Sequence, residues 1–198
     1  PSLAEDAPLE RIAFGSCLHQ ARPQPILGPL LGDDPDLMLF MGDNVYGDVR
    51  SPELTELREA YALQAASEPM NALRRAVPVL ATWDDHDYGP NNSDRSFPQK
   101  HITEEAFNLF WGNLNTNVTG AGGITNHFPW ADCEFFLLDN RYFRSPNFRK
   151  TGERQMLGKA QIQWLMDALR NSRAPFKFVV MGGQAINDYA YFENYATF

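Results

Sequence analysis

Runs of consecutive apolar residues recur along the chain, each closed by a cluster of Gly, Asp, Asn or Cys. Between them lie segments whose apolar residues return every three or four positions. The first pattern suits strands buried on both faces, and the second suits helices with one apolar stripe. RIAFGSC (11–17) reads as a short strand running into a loop. Leu37–Met41, inside PDLMLFMGDNVYGD, reads as a strongly apolar strand that ends in a Gly-Asp turn, and VPVLATW (77–83) as a third strand. ITNHFPW and CEFFLLD pair as antiparallel strands, and FKFVVMGG (176–183) adds another.

The helical pattern covers 51–67, with Ser51 as N-cap, Pro52 in the first turn, and Leu54, Leu57 and Tyr61 on one face. It returns over 70–76, 103–111 and 158–172, where Ile162, Leu165, Met166 and Leu169 share a face. The stretch DDHDYGPNNSDRSFPQK, rich in Gly, Pro, Asn and Asp, reads as a loop. Alternating strands and helices predict an α/β layered sheet.

Four polar clusters, GSC, GDNVYGD, WDDHD and LDNR, lie just past the C-terminal ends of apolar strands. That rim is where open α/β sheets bind ligands. Asp43 follows a buried-type strand, and a turn brings Tyr46 back beside it. A carboxylate with a phenolate suits a hard trivalent iron, and Cys17 adds a thiolate once a cation deprotonates it. Asp85 and His86, from the third strand end, complete the kit for hydrolysis at a two-metal centre. There His86 protonates the leaving oxygen, while Asp84 and Asp87 orient the ligands.

Each residue alone has a blander reading: a turn for Gly-Asp, packing for Cys17 or Tyr46, solvated charge for DDHD. It is their convergence at equivalent strand ends that favours a site. Arg141 either holds a phosphate oxygen or pairs with Asp139. Asn91 and Asn92 either bind a metal or phosphate or form the turn of GPNN. His19 and His101 read as solvated, His127 as structural and Cys133 as core.

Composition narrows the partners. A hydrophobic share of 43% over 198 residues supports a single domain with a sizeable core. A net charge of −8 argues against nucleic acid as the main partner. It excludes a small anionic substrate less firmly, because a bound metal reverses the local field. Two cysteines make no disulfide framework, although one bridge between them stays open. No apolar stretch approaches the ~20 residues of a membrane span. The polar start PSLAEDAPLE shows no signal peptide.

FGSC, LFMGDNVYGD, PVLATWDDHDYGPNN, LLDNRYFR, LGKAQIQWL and FKFVVMGGQ, in this order, resemble the alkaline phosphatase D (PhoD-like) family of calcineurin-like metallophosphoesterases. The resemblance runs from about residue 11 to the end. It implies a four-layer α/β/β/α sandwich and a site holding ferric iron beside calcium or another divalent ion such as zinc, manganese or magnesium. It makes Asp43 the bridging ligand, Tyr46 and Cys17 iron ligands and Asp85 a ligand of the second metal. His86 becomes a phosphate contact or general acid, and Asn92 a substrate or metal contact. Gln184 stands where relatives often have a metal-binding His.

The expected activity is hydrolysis of phosphate monoesters or diesters, by an enzyme in the periplasm or secreted. The family's further strand ending in Gly-Asp-x-His is not among these residues. The expectation is therefore an N-terminal extension (1–10) and a catalytic domain (11–198) lacking its C-terminal part. The alternative is a non-catalytic metal- or phosphate-binding domain.

Overall fold

The computed structural model describes residues 9–114, 116–187, 189 and 193–198. Two three-stranded sheets carry the fold. The first is wholly parallel, in the order β1 (Ile12–Gly15), β2 (Leu37–Met41), β3 (Val79–Thr82). In the second, β4 (Asn126–Trp130) runs antiparallel to β5 (Cys133–Leu138), and β5 runs parallel to β6 (Phe176–Met181).

Strand alternation builds the layers, because successive side chains face opposite sides of a sheet. Met38 and Phe40 of β2 face a core shared with helices α1 (Leu27–Gly32), α2 (Thr55–Ala66), α3 (Glu68–Ala76) and α5 (Lys100–Trp111). Leu37 and Leu39 face the other sheet, meeting Phe128, Phe135, Leu137 and Val180. On the far side of the second sheet, Leu138 and Met181 pack against Ile162 and Leu165 of α6 (Lys159–Asn171). The result is the four-layer α/β/β/α sandwich.

Three sequence expectations change. The helix expected over 51–67 starts at Thr55, because Leu54 takes a left-handed backbone (φ 55°) that lets its side chain reach the core. Leu54, not Ser51, is therefore the N-cap residue, although the Ser51 Oγ accepts the Thr55 N–H at 3.0 Å. The loop after Trp83 contains a one-turn helix, α4 (Asp85–Tyr88), closed by Tyr88 N–H to the Asp84 carbonyl at 3.1 Å and Gly89 N–H to the Asp85 carbonyl at 2.8 Å. On α6, Met166 is 42% exposed.

The fully buried α6 residue is Gln161. Its Oε1 accepts from Asp139 N–H (2.8 Å) and Thr125 Oγ (2.7 Å), and its Nε2 donates to the Asp139 carbonyl (2.7 Å). A buried amide fully engaged in this way pins the end of β5. Cys17 and Cys133 are both free thiols, and Cys133 sits in the inter-sheet core as expected. Among the described residues no helix is long and apolar enough to cross a membrane.

Candidate metal centre

The C-terminal ends of β1, β2, β3, β5 and β6 open onto one cleft of ≈ 310 Å³. Its lining includes Cys17, Asp43, Asp84, Asp85, His86, Asn92, Arg141 and Gln184. Ligand atoms of Asp43, Asp85 and His86 lie within 4.8 Å of one another. The Cys17 Sγ sits 3.6 Å from Asp43 Oδ2. Tyr46 lies against this group, its ring 4.3 Å from that of His86.

Local backbone geometry aims these groups. Cys17 (φ 59°), Asp43 (φ 51°) and Asn92 (φ 61°) all take left-handed conformations that non-glycine residues avoid. Hydrogen bonds hold the strain in place. Cys17 N–H donates to the Gly42 carbonyl (3.1 Å) and Leu18 N–H to the Asp43 carbonyl (2.9 Å). The fully buried Asp87 accepts from Asn44 N–H (2.9 Å), Val45 N–H (3.1 Å) and Asp84 N–H (3.0 Å). Asp87 thus clamps the β2 turn to the β3 turn, the orienting role its sequence position suggested. Gly42 (φ 88°) allows the approach, since a Cβ there would lie 2.7 Å from the Asp84 Cβ.

His86 Nδ1 meets Asp48 Oδ1 at 2.5 Å, leaving Nε2 as the nitrogen free to act in the cleft. Burial alone would raise Asp85, but Arg141, the Asn92 N–H (2.7 Å) and His86 outweigh it and hold its carboxyl below the ordinary value. Burial pushes the Cys17 thiol up. Burial and the charges of Asp43 and Cys17 push the Tyr46 phenol up as well.

Arg141 is not paired with the Asp139 side chain. Asp139 instead receives the Arg141 and Tyr142 backbone N–H groups (2.9 Å each) and Trp83 Nε1 (2.8 Å). The Arg141 guanidinium is buried and faces Asp84 (2.5 Å), Glu193 (2.9 Å) and Asp85 (3.7 Å). Arg144 reaches the same Glu193 at 3.1 Å. Burial and the Arg141 charge push Arg144 down to about 10.

Two participants were missed from sequence. Glu193 carried no local signal; Asp48 could have been found in the repeated Gly-Asp of GDNVYGD. His19 was misjudged as solvated, because its ring stacks on Tyr46 (4.9 Å, 13°). His101 is exposed as expected, with Nδ1 2.8 Å from the Tyr142 hydroxyl. His127 is structural, held to Glu134 at 2.6 Å.

The donor set fits metal. Asp43 Oδ1 is one of several buried side-chain atoms without a hydrogen-bond partner among the described residues, and the carboxylate oxygen among them, a group costly to leave unpaired. Asp43 is pushed up from 3.8 to about 7 by burial and then by the charges of Asp84 and Asp85. A cation there would satisfy the orphaned oxygen and relieve the like-charge crowding.

The Asp43 shift has a testable sign. The folded chain keeps a proton that the unfolded chain loses near pH 4, so without metal stability falls as pH rises from about 4 to 7. Asp43→Asn is therefore expected to stabilise the metal-free chain at pH 8 by on the order of 1–2 kcal/mol, allowing for solvent screening, and hardly at pH 4. Thermal melts at both pH values measure this. An equal effect at both would show that the carboxylate is not crowded.

Comparison with known proteins bears on family and fold. The model of the PhoD-like phosphatase family matches residues 14–187. Alkaline phosphatase D of Bacillus subtilis (strain 168) is 24% identical over 217 aligned residues, which cover 88% of this chain and 37% of that protein. This chain therefore spans little more than a third of that relative's length. A solved structure of PhoD superposes with a TM-score of 0.70 at 21% identity, covering 94% of this chain and 43% of that one. With a family model matching most of its length and the expected strand-end cluster assembled in one cleft, the chain belongs to the PhoD-like phosphatase family.

Proposed function

We propose that this chain is the metal-binding catalytic unit, residues 11–198, of an enzyme that hydrolyses phosphate monoesters or diesters. The observation that carries the reading is the convergence of Asp43, Asp85 and His86 around a buried, unpartnered carboxylate oxygen. Asp43 is near both Cys17 and the pair Asp85 and His86, which supports its reading as a bridging ligand. Thiolate and phenolate favour ferric iron, and the harder carboxylate and amide oxygens of Asp85 and Asn92 favour calcium or another divalent ion. Bound there, the metals would act as Lewis acids that draw charge from the phosphoryl oxygens and lower the pKa of water.

The chain's own residues do the rest. Arg141, in the cleft lining, neutralises Asp84 and Asp85, and would exchange one of its carboxylate contacts for a phosphate oxygen when substrate enters. Asn92, at the cleft mouth, positions the ester. His86, oriented by Asp48, delivers a proton from Nε2 to the leaving oxygen. The resemblance to exported enzymes supports a site of action outside the cytoplasm.

The proton-donor role predicts a leaving-group dependence. His86→Asn should slow alkyl phosphates by about 10²–10⁴-fold and aryl phosphates, whose leaving group needs less help, markedly less. Equal losses on both would make His86 a ligand or a binding group instead.

The reading as a whole is tested by elemental analysis with a visible spectrum of the same sample, followed by turnover of aryl phosphates. Iron, a phenolate or thiolate charge-transfer band and turnover support it. Phosphate binding without turnover in excess iron and calcium would favour a non-catalytic binding domain. Absence of iron and of any band after reconstitution would show that this chain does not build the site.

A further inference from the structure

Beside the catalytic cleft lies a second groove, of ≈ 790 Å³, with the opposite electrostatic character. Its lining includes Arg95, Lys100, His101 and Lys159 and not one carboxylate. In a chain of net charge −8, where the neighbouring cleft gathers acids, this clustering needs a reason. Two of the cations lack counter-ions. Among the described residues the Arg95 guanidinium has no hydrogen-bond or ion-pair partner, and Lys100 meets only the Tyr142 ring, 4.2 Å from its ammonium. Both are half-buried. Lys159 does have a partner, Glu153 at 2.9 Å, but both side chains are largely exposed and such pairs exchange readily.

Backbone dipoles add to the field. Helices α5 (12 residues) and α6 (13 residues) both begin at this groove, with Lys100 and Lys159 as their first residues. Neither has a side-chain cap at its N-terminus or an acidic residue in its first turn. By contrast α3 has its Ser67 cap and Glu68. Two uncapped helix starts carry partial positive charge toward the same cations.

The groove's residues lie close along the chain to those of the cleft. Arg95 follows Asn92 by three residues, at most about 11 Å of chain. Arg95 N–H donates to the Arg144 carbonyl at 3.0 Å, and Arg144 holds the cleft residue Glu193. Tyr142 follows Arg141 directly.

We propose that this groove is a phosphate-group subsite, holding a second phosphate of the substrate while the first lies in the catalytic cleft. The role as a substrate subsite rests on the phosphoester reading above; the capacity to bind phosphate does not. Arg95 supplies paired N–H donors to phosphate oxygens, and Lys100 a point charge. His101 and the Tyr142 hydroxyl, already joined at 2.8 Å, offer further donors. Substrates with two phosphates gain here, and simple aryl phosphates do not.

The first test is inorganic pyrophosphate titrated into the metal-free chain, followed by amide NMR and calorimetry. Without metal the acidic cleft repels the probe. Shifts should therefore cluster at 95–101 and 158–160, and Arg95→Gln/Lys100→Gln should weaken binding about tenfold or more. Unchanged binding in that double variant, or shifts confined to Cys17, Asp43 and Asp85, would overturn the proposal.

The second test uses metal-loaded protein. The double variant should raise KM for a two-phosphate ester at least fivefold while leaving kcat, and all constants for a one-phosphate aryl ester, unchanged. Lost pyrophosphate binding with an unchanged KM would overturn the substrate role and leave a site for free anions. No turnover of any ester, with pyrophosphate still bound in the groove, would sink the hydrolase reading and not the groove.

Discussion

Asp43→Ala is expected to abolish turnover of phosphate esters and to strip the centre of metal. Among the described residues Asp43 is close both to Cys17 and to Asp85 and His86, and its Oδ1 has no hydrogen-bond partner. Removing one preorganised electrostatic contact typically costs about 10²–10³-fold in rate. On the proposed reading two ions would share Asp43, and its removal should then cost more, because positioning and charge neutralisation fail together. The measurements are kcat/KM on an aryl phosphate and metal content by elemental analysis, on wild type and variant reconstituted alike. Wild-type turnover in the variant would end the phosphoesterase reading. Lost turnover with full metal content would keep Asp43 in the reaction but deny it the bridging role. Together with the predicted gain in metal-free stability of Asp43→Asn at pH 8, this marks a residue that weakens the bare fold to serve the site.

Arg141→Met should be the most destabilising single change in the cleft. The guanidinium lies 2.5 Å from Asp84, 2.9 Å from Glu193 and 3.7 Å from Asp85, nearly out of contact with water. Burial alone would lower its pKa, yet these three carboxylates raise it. Removing it leaves Asp84 and Asp85 without their cation and Glu193 with Arg144 alone. Breaking a buried ion pair from one side costs about 3–5 kcal/mol. For a chain of this size that corresponds to a melting temperature lower by roughly 6–20 °C.

Arg141→Lys should recover part of the loss only, since an ammonium cannot bridge three carboxylates as a planar fork does. The deficit should shrink in acid, because Asp85, which Arg141 helps hold below its ordinary value, loses that stabilisation as it takes up a proton. Melting curves of wild type and both variants at pH 7 and pH 4 provide the check. A fall of less than about 2 °C at pH 7 would show that Arg144 or water already balances these charges.

Much of this was legible in the chain. Continuous apolar runs separated by helical periodicity specify a buried parallel sheet, because strands covered on both faces cannot alternate in polarity. The ends of those runs mark the rim where Cys17, Asp43, Asp85 and His86 gather, because strand direction places every C-terminal end of a parallel sheet on one edge. The motifs around them carry the family. These inferences depend on local pattern and on chain direction, both of which are written in sequence.

What needed the tertiary structure was pairing across distance. The partner of Arg141 is Glu193 as well as Asp84, not the adjacent Asp139, whose carboxylate the local turn amides occupy first. His19 lies 27 residues before Tyr46 in the chain and is nonetheless stacked on it, because β1 and β2 end side by side. The helix start at Thr55 was set by the need to bury Leu54, which outweighed the capping signal at Ser51. The basic groove exists only because α6 begins beside the start of α5 and the loop just before it that carries Arg95, stretches that lie far apart in sequence. Local chemistry is determined by the sequence by itself; which charges meet is decided by packing, because Coulomb and hydrogen-bond energies depend on distances that only the folded chain sets.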